Sequence, residues 1–342
     1  MTYYELDSRF IPGHHHPSVI IELGLSRGVD SHVLLKGCGV FYEDILAAKS
    51  VLSSAQLQQL LSNAQRLLPD PETAFLIGQQ WLPGHYGAAS QMLSQAHNLQ
   101  QALELINNFR ALLSPLMSLR WAMDEHRVYL MFQHSFVLKA EQQQFLDQLH
   151  ATAIVSMCRQ LSGQRWTWHM HCNHQRPAYP EQYWLHISEQ LHFGYPASVL
   201  SLPREHLHQA WPQRNTTACM AAQQQCREAL GRLDGSQSIL DALAGYLHHN
   251  LRHTLNLERA AHYFGMSPAS LKRKLQRHQT GFQQQLDLAR TRQALFLYQV
   301  QGLSNEEVAR WLAFNDTTNF RRSFRRWTGY TPSELRQRLR HF

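Results

Sequence analysis

The sequence predicts a chain of two folded parts: a mixed α and β body, then an all-helical C-terminal third carrying two helix-turn-helix blocks joined by a helix. Three observations lead there. Apolar residues make up 44% of the 342 and charged residues only 17%, enough to fill the cores of two domains. Hydrophobic spacing alternates between helical and strand periods through the first 235 residues, whereas the last third repeats one helical pattern twice. Charge divides at the same place. Residues 236–342 hold 16 Lys and Arg against 7 Asp and Glu, a net +9, and residues 1–235 hold 16 against 18, a net −2.

In the body, residues 19–25 (VIIELGL) form a short β-branched run bounded by turns, expected as a strand or short buried element. Residues 45–68 read as one helix, with Leu52, Leu57, Leu60, Ala64 and Leu67 inward, stopped by Pro69-Asp70-Pro71. A second helix follows Pro83-Gly84, is interrupted at Asn98 and continues through Ala102, Leu105, Ile106 and Phe109. Residues 118–136 alternate (Leu119, Trp121, Met123, then Val128, Leu130, Phe132) around Asp124-Glu125-His126, the pattern of a β-hairpin. Residues 141–161 return to helical spacing, and residues 165–171 suggest a strand with Trp166 and Trp168 on one side. Residues 216–233 read as a helix broken by Asp234-Gly235-Ser236. The body has no βαβ repeat and none of the motifs GxGxxG, GxxxxGK[ST] or GxSxG, so nothing in it reads as a dinucleotide fold, a P-loop or a hydrolase elbow.

No run of about 18 uncharged apolar residues occurs, and Glu5 and Asp7 precede any apolar stretch. Neither a membrane span nor a secretory signal is expected. Five cysteines, odd in number, scattered and never spaced as CxxC, argue against a disulfide framework or zinc knuckle and for a reducing cytoplasm.

A basic segment on a near-neutral body is the footprint of a nucleic-acid binder, because phosphate contacts by Lys and Arg release counterions. Its pattern agrees. In the first block Leu257, Ala261 and Phe264 face inward, Gly265 permits a turn, and Ser267-Pro268 starts a helix through Leu271, Lys272, Arg273, Lys274 and Leu275. In the second, Val308 and Leu312 face inward, Ala313-Phe314 turns, and Asp316 caps a helix holding Thr317 through Arg325. Between them residues 282–300 form an uninterrupted helix, a rod of about 28 Å. That length suits two reading helices near the pitch of about 34 Å between successive major-groove faces.

Residues 255–336, ending in FRRSFRRWTGYTPSELR, resemble the AraC-type DNA-binding domain of bacterial transcription regulators from end to end. The body is similar to the arabinose-binding-type domain of one branch of that family, through LPGHYGAAS, LSQAHNLQQALEL and LHFGYPASVLSLPREHL. The resemblance implies an effector-sensing and dimerising domain at 1–214, a helical linker at 215–235 and a double helix-turn-helix DNA-binding domain at 236–342. It places base-reading positions at Ala269, Lys272 and Arg273 and at Thr317, Thr318 and Arg322. Lys274, Arg277, Arg321 and Arg325 are assigned to phosphates, which fix register without reading sequence. The chemistry agrees in part: Arg and Lys reach guanine O6 and N7, and Thr offers a methyl to thymine. Ala313 departs from the family, where Gly usually precedes Phe at the second turn; if φ is positive there, Ala costs about 1 kcal/mol.

Phe314, Phe320, Phe324 and Trp327 are read as the core of the second block. His14-His15-His16, and the group His169, His171, Cys172 and His174, are read as structural, since neither shows ligand spacing. Cys219 and Cys226 are read as packed thiols on one helix face. No metal, cofactor or catalytic residue is expected. The expected function is a cytoplasmic, sequence-specific transcription regulator acting as a homodimer on double-stranded DNA, answering to a small organic effector whose binding residues are unknown. The family's habit implies activation and RNA polymerase as a partner. The alternative is an effector-independent regulator controlled by abundance or by a protein partner.

Overall fold

The computed structural model describes residues 3–135, 138–233 and 237–339. The chain forms two compact units that part between Gln237 and Ser238. The first opens with β1 (Arg9–Pro12), α1 (His16–Ser26), α2 (Ser31–Leu34), α3 (Tyr42–Leu46), β2 (Val51–Ser53), α4 (Ser54–Leu67), α5 (Thr73–Trp81), α6 (Ala88–Ser94), α7 (Leu99–Asn108) and α8 (Arg110–Leu113). The hairpin β3 (Met117–Met123) and β4 (Arg127–His134) leads into the long α9 (Ala140–Ser162). Then come β5 (His169–His171), α10 (Pro180–His186), β6 (Gln190–His192), β7 (Val199–Pro203), a 3-10 turn and α11 (Thr216–Gly231).

Five strands form one sheet in the order β3-β4-β7-β5-β6, with β7 antiparallel to both β4 and β5, and β5 parallel to β6. Central β7 is buried from Val199 to Leu202 on both faces, Ser201 as fully as the leucines beside it. Beside the sheet α5 lies against α9 so closely that a Cβ at Gly78 would meet the Leu149 carbonyl well inside van der Waals contact. Only glycine permits that crossing.

Three expectations are corrected. Residues 19–25 belong to helix α1, which buries His16, Pro17, Val19, Ile20, Ile21 and Gly24; a short apolar run does not distinguish a strand from a buried helix. Residues 45–68 are not one helix. The α3 helix ends in a left-handed residue, Ala48 at φ +54°, β2 pairs with β1, and Ser53 then starts α4 through a capping box with Gln56. The strand expected at 165–171 is confined to His169–His171, because Pro203 has no N–H with which to extend the ladder on β7. The break expected at residues 234–236 lies outside the described residues. The segment expected as a linker contains α11, which packs on α6 within the first unit and buries Cys219, Ala222 and Cys226. All five cysteines are buried and free, and no described helix is long and apolar enough to cross a membrane.

The core of the first unit holds a file of rings. His16 stacks on Tyr86 (3.9 Å between centroids) and meets Trp81 (4.7 Å), and His150 lies beyond Trp81 (6.4 Å) and beside His134 (5.9 Å). His134 Nε2 contacts Asp147 Oδ1 at 2.7 Å, and the Ser198 hydroxyl donates to Asp147 Oδ2 at 2.6 Å. Burial pushes the pKa of both His16 and His150 down to about 3, because desolvation penalises the charged ring. The unfolded chain therefore takes up protons below about pH 6.5 that the folded unit refuses. Stability from these two residues is complete above that range and is lost as pH falls, by up to about 1.4 kcal/mol per pH unit per histidine. Urea unfolding is expected to show a clearly lower midpoint at pH 5.5 than at pH 7.5; equal midpoints would contradict the burial of neutral imidazoles.

The second unit is all helical: α12 (Ile239–Asn250), α13 (Leu257–Tyr263), α14 (Pro268–Arg277), α15 (Phe282–Gln299), α16 (Asn305–Trp311), α17 (Thr317–Thr328) and α18 (Pro332–Leu339). The sequence reading did not single out α12, which buries Ile239, Leu240, Leu243 and Leu247 and packs on α15.

Candidate nucleic-acid interface

The second unit contains the same construction twice. Asn256 and Ser304 cap α13 and α16, each accepting a hydrogen bond from the third backbone N–H of its helix. Each helix runs seven residues and closes alike. Gly265 N–H donates to His262 O and Met266 N–H to Ala261 O; Ala313 N–H donates to Arg310 O and Phe314 N–H to Ala309 O. Both are Schellman closures, which need a left-handed residue at the turn. Gly265 sits at φ +65° and Ala313 at φ +59°.

Ala313 therefore occupies a conformation that crowds its Cβ against the backbone. Ala313→Gly is expected to raise the stability of the second unit by up to about 1 kcal/mol, part of the gain being offset by glycine's freer unfolded chain. Thermal unfolding of the full chain checks this, and a lowered midpoint would show the turn unstrained.

The following helices start from equivalent caps, Ser267 accepting from Ser270 N–H (3.1 Å) and Asp316 from Asn319 N–H (2.7 Å). Counted from these caps, Leu271 and Leu275 in α14 match Phe320 and Phe324 in α17, and all four are buried. The opposite face of α14 presents Ala269, Lys272, Arg273 and Gln276, and that of α17 presents Thr318, Arg321, Arg322 and Arg325, each set at i, i+3, i+4, i+7. All eight are exposed.

The structure thus brings together Ala269, Lys272 and Arg273, and likewise Thr318 and Arg322. Thr317 is placed apart, half-buried in the first turn where its counterpart is Pro268. Arg321 and Arg325 share the face of Arg322, Arg277 is exposed at its flank on α14, and Lys274 is half-buried to one side. Sequence reasoning missed Gln276, although its spacing of seven from Ala269 was available. Lys272, Arg273, Arg277, Arg321, Arg322 and Arg325 make no hydrogen bond or ion pair with other described residues, so a cationic face is open to solvent.

The second block is seated on α15. Phe314, Phe320, Phe324 and Trp327 pack with centroids 5.5 to 5.8 Å apart, the core that their spacing suggests. Arg290 lies over the rings of Phe314 (5.2 Å) and Trp327 (6.0 Å), and burial lowers its pKa. Arg326, also exposed, reaches Asp287 at 3.2 Å and so pairs with α15 at the surface.

The histidine groups sit elsewhere. His16 is buried in the ring file with Nε2 3.1 Å from Leu113 O. His171 stacks on His192 (4.6 Å), and His174 uses Nδ1 on Gln175 O and Nε2 on the Tyr183 hydroxyl.

Known proteins show the same division. The profile described as the arabinose-binding domain of AraC transcription regulator, N-terminal, matches residues 28–210, and a helix-turn-helix domain profile matches residues 260–338. The chain is 27% identical over 322 residues to the ornithine utilization regulator of Pseudomonas aeruginosa, covering 94% of this chain and 95% of that protein. It is 34% identical over 92 residues to the HTH-type transcriptional regulator GadX of Escherichia coli, covering 27% of this chain and 34% of that one. The solved structure of the transcriptional regulator CdpR from Pseudomonas aeruginosa aligns with 80% of this chain and 91% of its own at 20% identity and a TM-score of 0.40. With an arabinose-binding-type domain spanning more than half its length and a helix-turn-helix domain after it, the chain belongs to the AraC family of DNA-binding transcription regulators.

Proposed function

We propose that the chain is a sequence-specific regulator that places α14 and α17 in two successive major grooves of one duplex. The observation that carries this reading is the cap-for-cap equivalence of the two helices, which offer the same four outward positions, α14 preceding α15 and α17 packed along it. At 18 residues α15 spans about 27 Å. Ala269, Lys272 and Arg273 read bases from the first helix, and Thr318 and Arg322 from the second. The equivalence of Arg321 with Lys272 supports adding Arg321 to the base readers, and the half-buried Thr317 supports moving that residue out. Gln276, with an amide suited to adenine N6 and N7, joins the first set. Lys274, Arg277 and Arg325 hold phosphates.

The first unit, residues 1–214 with the helical segment 215–235, senses a small organic effector and joins two protomers, and residues 236–342 bind DNA. Activation through RNA polymerase in the cytoplasm is the working mode. The full-length relative is named for ornithine utilization, which puts amino compounds among the first effectors to screen.

The test is selection of bound duplexes from a random pool by the full chain, followed by affinity measurement with and without each compound that raises its unfolding temperature. Two short conserved elements about one helical turn apart, bound with an affinity that a compound changes, are expected. A single element would remove one reading helix. Affinity unchanged by every stabilising compound would favour control by abundance or a protein partner.

A further inference from the structure

We infer that a cleft on the first unit, between the α4–α5 connection and the N-terminal half of α9, binds a small organic cation, an ammonium or guanidinium compound. Its role as effector rests on the sensor reading above. The cleft has a volume of about 280 Å³, smaller than drug-sized pockets but ample for a metabolite. Its floor is apolar, with Leu68, Ala74 and Phe145 all buried. The charged groups that line it are Asp70 and Glu141, and both are acidic.

Hydrogen bonding engages one N–H of each of three cleft amides. The amide of Gln65 donates to the Glu141 backbone carbonyl (3.2 Å), that of Gln144 to the Tyr179 hydroxyl (3.3 Å) and that of Gln148 to the Tyr183 hydroxyl (2.7 Å). The last orientation is fixed by its neighbours. His174 Nδ1 faces the Gln175 carbonyl at 2.8 Å and must carry the proton. Burial lowers the pKa of this ring, so it is neutral and Nε2 accepts. The Tyr183 hydroxyl, 2.8 Å away, therefore donates to His174 and accepts from Gln148. Gln148 is only 3% exposed, yet its Oε1 is left without a partner among the described residues. That oxygen is accessible from the cleft, where it can accept from a donor.

The Glu141 carboxylate likewise has no cation among the described residues, while Asp70 is partly offset by Arg27 at 3.3 Å. An apolar floor, two exposed carboxylates and an amide oxygen with no protein partner among the described residues match a molecule with an aliphatic body and a donor-rich cationic end. An anion would meet only like charge, and a neutral molecule would gain nothing from the two carboxylates.

The experiment is calorimetric titration of the full chain at low salt with 1,4-diaminobutane and with agmatine, set against butane-1,4-diol and glutarate. Both cations are expected to bind and to raise the unfolding temperature, with affinity falling as salt is added, and the diol and the dianion are not. Glu141→Gln, in the exposed first turn of α9, and Gln148→Leu are each expected to weaken binding about ten-fold or more. Glu72→Gln, which breaks the other Arg27 contact outside the cleft, keeps wild-type affinity. Absence of cation binding, or unchanged affinity in both Glu141→Gln and Gln148→Leu, overturns the assignment. If a neutral or anionic compound instead binds and alters DNA affinity, the cleft is wrong and the sensor reading stands. If a cation binds in the cleft but leaves DNA affinity unchanged, the cleft stands and the sensor reading falls.

Discussion

Arg273→Ala and Arg322→Ala are each expected to weaken binding to a selected duplex by about 1 to 3 kcal/mol, roughly five- to 150-fold, and to relax preference at one base position. Both side chains are exposed, sit at the same count from their helix caps and make no ion pair with other described residues, so nothing in the fold is lost with them. Each can present two N–H groups to guanine O6 and N7, an arrangement that alanine leaves empty. Arg277→Ala should instead weaken all duplexes together and reduce the salt slope by about 1. The informative case is Arg321→Ala. Cap-for-cap equivalence with Lys272 expects a base-specific loss, whereas a phosphate role expects a uniform one. Equal losses on selected and random DNA for Arg273→Ala would reassign that residue to the backbone. Thr317→Ala, at a half-buried first-turn position, is expected to change little.

Phe320→Ala is expected to cost about 3 to 5 kcal/mol and to unseat the second reading helix. Phe320 is fully buried, its ring 5.5 Å from Phe314 and 5.6 Å from Phe324, and these rings hold the amphipathic α17 against the rest of its unit. Most helical stability comes from burying one face, since a twelve-residue helix is marginal alone. Hydrogen exchange on the full chain is expected to show loss of protection across residues 305–328, unchanged protection in α5 and α9, and DNA affinity reduced beyond that of any single outward arginine variant. Phe320→Leu keeps most of the buried volume and is expected to retain binding. Full protection in Phe320→Ala would mean that the second block collapses around the cavity.

The construction of the reading helices was legible because its determinants are local. Ser267-Pro268, Gly265 and Asp316 fix caps and turns with partners three to five residues away, so one segment contains both halves of every hydrogen bond. Facing was legible too, through the spacing of Leu271 and Leu275 and of Phe320 and Phe324. At Thr317 and Arg321 the positions carried over by resemblance differ from those counted from the cap at Asp316, because the resemblance transfers sequence positions whereas the cap count follows the exposed face of α17. In the body the local signals were weaker. The apolar run in α1 has no period that tells strand from buried helix, and β7 is only five residues long, with Ser201 buried as fully as its leucine neighbours, so its pattern does not mark an inward face.

By itself, then, the sequence determined the division into two parts, the basic helical third with its two equivalently capped helices, and the residues those helices turn outward. Tertiary structure alone decided that Arg326 pairs with Asp287, that His16 and His150 are held neutral, and that Gln65, Asp70, Glu141, Gln148 and Tyr179 line one cleft whose charged groups are acidic. The physical reason is range. Caps, turns and helix faces are set by neighbours within one or two turns of chain, whereas burial, desolvation and the lining of a cleft depend on groups more than a hundred residues apart that only the packed chain brings together.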